Sequence, residues 1–235
     1  MELSKRLQAV ADLVTSGLCV ADIGTDHGYI PIYLVQSGRI PCAIAMDINK
    51  GPLERARKHI CECHLEPYIQ TRLSDGLSAL QKHEVESVVI AGMGGGLIMK
   101  ILSHQNKNMS DVKEFILQPQ SDLLKVRSFL QQHNYLIICE DMVLEDGKFY
   151  SMLKVKKVES CPKIPSDFIY SPYLLEHRHP VLKLYLYQEM NKKNEILQLL
   201  KEQSGEHIIN RILKLKEEVA YAEQILYRYY EDNRI

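Results

Sequence analysis

The sequence predicts an α/β fold in which a seven-stranded, mainly parallel sheet closes with an antiparallel hairpin, followed by a carboxyl-terminal pair of antiparallel helices forming a coiled coil. Three observations carry this. From Leu18 to about Val158, short apolar runs alternate with amphipathic stretches, the pattern of strands covered by helices on both faces. The last two runs are joined by Leu144-Glu-Asp-Gly147-Lys, a hairpin turn with no room for a helix. Beyond Ile208 the apolar residues recur in steps of four and three, as coiled-coil seams do.

The strands are expected at 18–23, 42–47, 69–74, 86–91, 114–118, 135–144 and 149–157, and helices near 29–37, 52–63, 95–103 and 121–133. Two prolines within Ser160-Cys-Pro162-Lys-Ile-Pro165-Ser interrupt regular structure. They set the expected boundary between a domain of residues 1–160 and a helical hairpin of residues 166–235. In the hairpin, Ile208, Ile212, Leu215, Val219, Ala222, Leu226 and Tyr229 form one seam, and Leu186, Met190, Lys193, Leu197 and Leu200 a weaker one, with Ser204-Gly205 as the turn. Heptads specify packing and not ligand. The hairpin therefore reads equally as a structural or dimerising element and as a substrate-binding one; the expected state is a monomer, or a weak dimer through this seam.

The chain has 235 residues, 46% hydrophobic and 25% charged, with a net charge of −1, which is ordinary globular composition. It lacks the bulk basic charge of many nucleic-acid binders, so any such contact must use local patches. No apolar run approaches the ~18 residues that span a bilayer, and Met1-Glu2-Leu3-Ser4-Lys5-Arg6 lacks a secretory segment; the expectation is a cytoplasmic protein without membrane contact. The six cysteines, Cys19, Cys42, Cys61, Cys63, Cys139 and Cys161, read as free thiols. His59-Ile-Cys61-Glu-Cys63-His64 invites a metal, but its cysteine spacing is not that of zinc sites and no second pair follows, so no metal is expected.

Chemistry concentrates where strands run out. Asp22, Gly24 and Gly28 shape the first strand-to-helix turn, the usual clamp of an open parallel sheet. Asp47 follows Gly28 by 19 residues, where a carboxylate reaches a ribose diol, and Asp75-Gly76 ends the third strand. Three acids at one sheet edge disfavour a pyrophosphate and suit a nucleoside with a cationic amino-acid end. S-adenosylmethionine is such a ligand. A nicotinamide cofactor fits less well because Gly-x-Gly-x-x-Gly is absent. These residues resemble class I methyltransferases, a Rossmann-like fold. The resemblance implies that the Asp22/Gly24/Gly28 turn holds the methionine part, Asp47 the ribose and Asp75 the adenine amine, with Ile48, Gly76, Gly92, Met93 and Gly94 completing the cofactor set.

A narrower resemblance rests on Leu3-Ser-Lys-Arg-Leu7, Ala21-Asp-Ile-Gly-Thr-Asp-His-Gly-Tyr-Ile-Pro31, Ile90-Ala-Gly-Met-Gly-Gly95, Leu117-Gln-Pro-Gln120 and the helical hairpin. Together these resemble the bacterial tRNA (adenine(22)-N1)-methyltransferase family, over nearly the whole chain. The resemblance implies methyl transfer from S-adenosylmethionine to N1 of adenine 22, in the D-arm region of tRNA, in the cytoplasm. Asp26 replaces the middle glycine of the general class I turn, and Gly92-Met-Gly-Gly-Gly96 stands where enzymes methylating the adenine amine carry Asn/Asp-Pro-Pro-aromatic. Methylation at N6 is thereby disfavoured. Asp26, His27 and Tyr29 are the candidate catalytic residues, Met93 or Tyr29 a wall for the base, and Gln118 and Gln120 readers of its edge. Asp26 reads alternatively as a helix cap and His27 as a solvated loop residue. Phosphate contacts are expected from Lys5, Arg6, Lys192, Lys193, Lys201 and Lys214. Two rival readings keep the cofactor site: a methyltransferase acting on a protein or small molecule, and a non-catalytic adapter working through its coiled coil.

Overall fold

The structure, a computed structural model, describes residues 1–104, 109–162, 169–201 and 205–231. Among them the chain forms two compact units, Met1–Ile169 and Tyr170–Ile235. In the first, seven strands form one sheet: β1 (Val20–Ile23), β2 (Ala43–Asp47), β3 (Ile69–Leu73), β4 (Ser87–Met93), β5 (Glu114–Pro119), β6 (Tyr135–Glu145) and β7 (Lys148–Lys157). Their order is β3-β2-β1-β4-β5-β7-β6. The first five run parallel, and β7 pairs antiparallel with both β5 and β6. Strand order reverses between β1 and β4, which opens a crevice at their carboxyl ends. The β6–β7 turn uses Asp146 (φ 49°) and Gly147 (φ 73°), the paired left-handed conformation of a tight two-residue hairpin.

Residues alternate between faces as the strand period of two requires. Val88, Ile90, Phe115 and Leu117 enter one core with Ile98, Ile101, Val126 and Leu130, from α4 (Gly95–Ser103) and α5 (Leu123–Gln132). Val89, Ile116 and Ala45 enter the other with Val10, Ile32 and Ile60, from α1 (Lys5–Asp12), α2 (Tyr29–Gln36) and α3 (Lys50–Glu62). All six residues of β5 are buried, as expected of a strand covered on both sides. Helix α1 was not anticipated, because its eight residues stand outside the strand-helix alternation. Ser4 caps it by accepting from the Leu7 N–H at 3.3 Å, and Ala9, Val10 and Ala11 are its buried face.

The expectation of six free thiols is corrected. Cys19 and Cys42 form a disulfide with a Cα–Cα distance of 5.1 Å. The register pairs Val20 with Ala43 on adjacent parallel strands, so the residues preceding them fall side by side, a fact invisible until register is known. Among the described residues Cys61, Cys63 and Cys161 are free thiols.

The second unit holds α6 (Pro172–Glu176), α7 (Pro180–Leu200) and α8 (Glu206–Leu226), the last running into a wider turn at Tyr227–Glu231. Helices α7 and α8 pack antiparallel: Lys193 pairs with Glu218 at 3.2 Å, while Tyr187 donates to Glu231 at 2.9 Å. Leu186, Leu215, Val219, Ala222 and Leu226 are buried. Ser204, half of the expected turn, and residues 163–168 at the expected boundary lie outside the described residues.

Candidate active site

After β1 the chain turns sharply, the N–H groups of Gly24 and Thr25 both donating to the Met46 carbonyl at 2.8 and 2.9 Å. Gly24 has φ 76°, a conformation that favours glycine, and a Cβ there would lie 2.1 Å from Met93 Cε, so that the end of the methionine would have to swing aside. Gly28, at φ 70°, starts α2 within van der Waals reach of Ala56 on α3. Beneath the turn a cleft of about 300 Å³ opens between the ends of β1 and β4, lined by Asp22, Gly24, Asp26, His27, Gly28, Tyr29 and Gly92 from the predicted set.

Asp22 is 6% exposed. Burial pushes its carboxyl up to about 6, Thr25 pulling against the rise and the nearby Asp47 charge adding to it. Asp47, Ile48, Asp75, Gly76, Met93 and Gly94 end strands or begin turns at the same sheet edge but do not line this cleft. The Asp47 carboxylate accepts from the Asn49 N–H at 2.7 Å, and its carbonyl from the Ser74 N–H at 2.8 Å. Ile48 is exposed. Gly76 has a packing constraint of its own, since a Cβ would crowd Ile101 at 3.2 Å.

The helix-cap alternative for Asp26 fails, because α2 is capped at Gly28 with no side-chain bond. Asp26 instead accepts from Arg55 Nε at 3.0 Å and lies 3.4 Å from His27 Nε2. His27 is not a solvated loop residue: its ring stacks 5.0 Å from Tyr29 and 5.3 Å from His59. Because a carbonyl only accepts, the 3.0 Å contact of His59 Nδ1 with the His27 carbonyl makes Nδ1 the protonated nitrogen.

Gln118 does not read a base. It is fully buried, and its Oε1 accepts from Arg6 Nη1 and the Gly92 N–H, each at 3.0 Å. Gln120 does line the cleft, and so does Arg6, which was expected on phosphates; its guanidinium also lies over the Tyr150 ring at 5.6 Å. Of the expected phosphate contacts, Lys193 is taken up by Glu189 and Glu218, and Lys201 donates to Gln198. Lys5, Lys192 and Lys214 are exposed. Sequence reasoning missed Arg55 and His59 at this site, although the pair stands at i, i+4 on α3, the spacing that puts two side chains on one face. Among the described residues no group of three or more His, Cys, Asp or Glu is placed to hold a metal, and no helix is long and apolar enough to cross a membrane.

The chain matches the family model described as tRNA (adenine(22)-N(1))-methyltransferase over residues 20–224. It is 32% identical over 201 residues to the tRNA (adenine(22)-N(1))-methyltransferase of Bacillus subtilis, covering 83% of this chain and 84% of that one. Streptococcus pneumoniae Sp1610, solved in complex with S-adenosyl-L-methionine, superposes with a TM-score of 0.79 at 34% identity, covering 93% of this chain and all of that one. The TrmK of M. capricolum, solved with S-adenosyl-homocysteine, gives a TM-score of 0.79 at 27% identity over 97% of this chain and all of the other. The family match runs from β1 through α7 and most of α8, and on it this chain belongs to the tRNA (adenine(22)-N1)-methyltransferase family.

Proposed function

We infer that the cleft between β1 and β4 is where this chain, an S-adenosylmethionine-dependent tRNA (adenine(22)-N1)-methyltransferase, transfers a methyl group to N1 of its target adenine. The observation that carries the reading is Asp22, a buried carboxyl pushed up to about 6 in a cleft that also holds the Arg6 guanidinium. A carboxylate in that state gains most from a cation brought to it, and Arg6 suits a carboxylate. The pair thus fits the two charged groups of an amino acid.

Asp22 pairs with the α-ammonium of the cofactor and Arg6 with its carboxylate. Gly24 and Gly28 give the turn its left-handed backbone, and at the end of β4 a Cβ on Gly92 would stand beside Arg6 and Gln120 of the cleft. Asp47 accepts from the ribose hydroxyls, Ile48 covers the adenine ring and Asp75 accepts from its amine, with Gly76, Met93 and Gly94 shaping the turns around them. When bound, S-adenosylmethionine supplies a methyl group on a positive sulfur.

N1 of neutral adenine carries an in-plane lone pair, so the side chains have only to align it, an effect that reaches about 7–11 kcal/mol in well-oriented systems. Tyr29, 39% exposed at the cleft mouth, stacks on the target base after it leaves its helix. Asp26 and His27 face the positive charge that the ring gains as the N–C bond forms and the C–S bond breaks. Gln120 contacts the base edge. Residues 1–160 serve as the catalytic domain. Residues 166–235, as a coiled-coil hairpin, grip tRNA through exposed lysines such as Lys192 and Lys214. The chain works as a monomer in the cytoplasm.

The test is incubation with methyl-labelled S-adenosylmethionine and unmodified tRNA transcript, followed by digestion and mass spectrometry. Labelled 1-methyladenosine at position 22 is expected. Label in N6-methyladenosine, or in protein, contradicts the reading.

A further inference from the structure

The loop proposed to meet the target base is itself held from behind. Three residues of α3 touch it, each differently. Ala56 packs against the turn at Gly28, its Cβ lying 3.5 Å from the position a Cβ would take there. Arg55 binds the Asp26 carboxylate through both Nε and Nη2. His59 donates from Nδ1 to the His27 carbonyl at 3.0 Å and lays its ring within 5.3 Å of His27 and 5.6 Å of Tyr29, at interplanar angles of 21° and 18°. The spacing of four residues puts Arg55 and His59 on one helical face, so a single rigid element fixes the carboxylate, the backbone and the ring planes of the turn together.

We propose that Arg55 and His59 are positioning residues of the methyl transfer: they lock the Asp26–Tyr29 turn into a fixed aromatic shelf on which the target adenine stacks in line with the methyl group. The inference rests on the reading of Asp26, His27 and Tyr29 as base-facing. Stacked aromatic surfaces hold extruded bases, and a displacement of about 1 Å from reacting geometry costs on the order of 10²-fold in rate. Neither residue lines the cleft, so both act through the turn. Arg55 and Asp26 are both substantially exposed, and an exposed ion pair adds little to folding stability. Loss of rate on breaking it therefore reports alignment and not unfolding.

The test uses the full chain with S-adenosylmethionine and a tRNA transcript, and compares single-turnover methylation at saturating substrates, cofactor affinity and melting temperature. Arg55→Met is expected to slow the methylation step about tenfold with cofactor affinity within twofold and an unchanged melting temperature. His59→Leu, which loses bond and ring, is expected to slow it more. His59→Asn, whose amide N–H takes the place of Nδ1–H, recovers part of that loss, which a merely space-filling role would not give. Rates unchanged in Arg55→Met and in His59→Leu, with Asp26→Ala and Tyr29→Ala both slow, overturn the positioning role alone. If Asp26→Ala and Tyr29→Ala are also unchanged, the reading of the turn falls and this inference with it. Should His59→Leu not fold, Arg55→Met and His59→Asn decide the matter.

Discussion

Two buried carboxylates sit at opposite ends of the central strands and have opposite fates. Glu114, at the amino end of β5, is 4% exposed and surrounded by donors: the Thr15 N–H and hydroxyl at 2.8 and 2.6 Å, the Ser87 hydroxyl at 3.0 Å, and Lys154 Nζ at 2.8 Å. Burial alone would raise it, but the bonds from Lys154 and Thr15 outweigh that, and its carboxyl is held below the ordinary value. Asp22, near the carboxyl end of β1, is as well buried, yet its carboxyl is pushed up to about 6. A carboxylate supplied with its cation within the fold is structural; one buried without a cation is prepared for a ligand that carries one.

The largest effect expected from this contrast is in stability. Glu114→Gln removes the counter-charge of the half-buried Lys154, which keeps its bonds to the Leu13 carbonyl and the Thr15 hydroxyl, and should cost about 3 kcal/mol, read by denaturant unfolding, with cofactor affinity unchanged. Loss of affinity in a folded Glu114→Gln would blur the distinction. At the same end of the sheet, reducing Cys19–Cys42 reopens a 23-residue separation and should cost about 3 kcal/mol by chain entropy, again without effect on the cofactor. Asp22→Asn should do the reverse. Removing one member of a buried charge pair costs at least about 2 kcal/mol of binding, so affinity for S-adenosylmethionine should fall on the order of 10²-fold, by calorimetric titration, while the ligand-free protein does not lose stability at neutral pH.

The two groups also give opposite pH signs. Asp22 rises from an ordinary 3.8 to about 6, so its contribution to stability is complete below about pH 4 and is lost as pH rises to 6. Glu114 is lowered from 4.5, so its contribution is present above pH 4.5 and is lost as pH falls. Unfolding curves of Asp22→Asn and Glu114→Gln across pH 4–7 should therefore diverge from the wild type in opposite directions.

The same contrast marks how far the sequence could be read. Asp22, Gly24 and Gly28 were legible because a strand that breaks into a turn is a local pattern, and the seven strands because period and turn chemistry are local too. The partnership of Glu114 with Thr15 and Lys154 joins residues far apart in the chain, and the Cys19–Cys42 bond depends on register; no local pattern encodes either. Arg6 was read as a phosphate contact because α1 is short and stands apart from the strand-helix alternation. Gln118 was read as a base contact because polarity suggests exposure, whereas its strand is buried throughout. Arg55 and His59 come to the turn only once α3 packs beside Gly28.

The most direct test of the account is titration of the wild-type protein with S-adenosylmethionine between pH 5 and 7.5. If Asp22 must ionise to take the ligand's ammonium, affinity should be level above about pH 7 and weaken about tenfold from pH 7 to 5, with a proton released at the acid end and neither effect in Asp22→Asn. Affinity independent of pH across that range, with Asp22→Asn binding as tightly as the wild type, would contradict it.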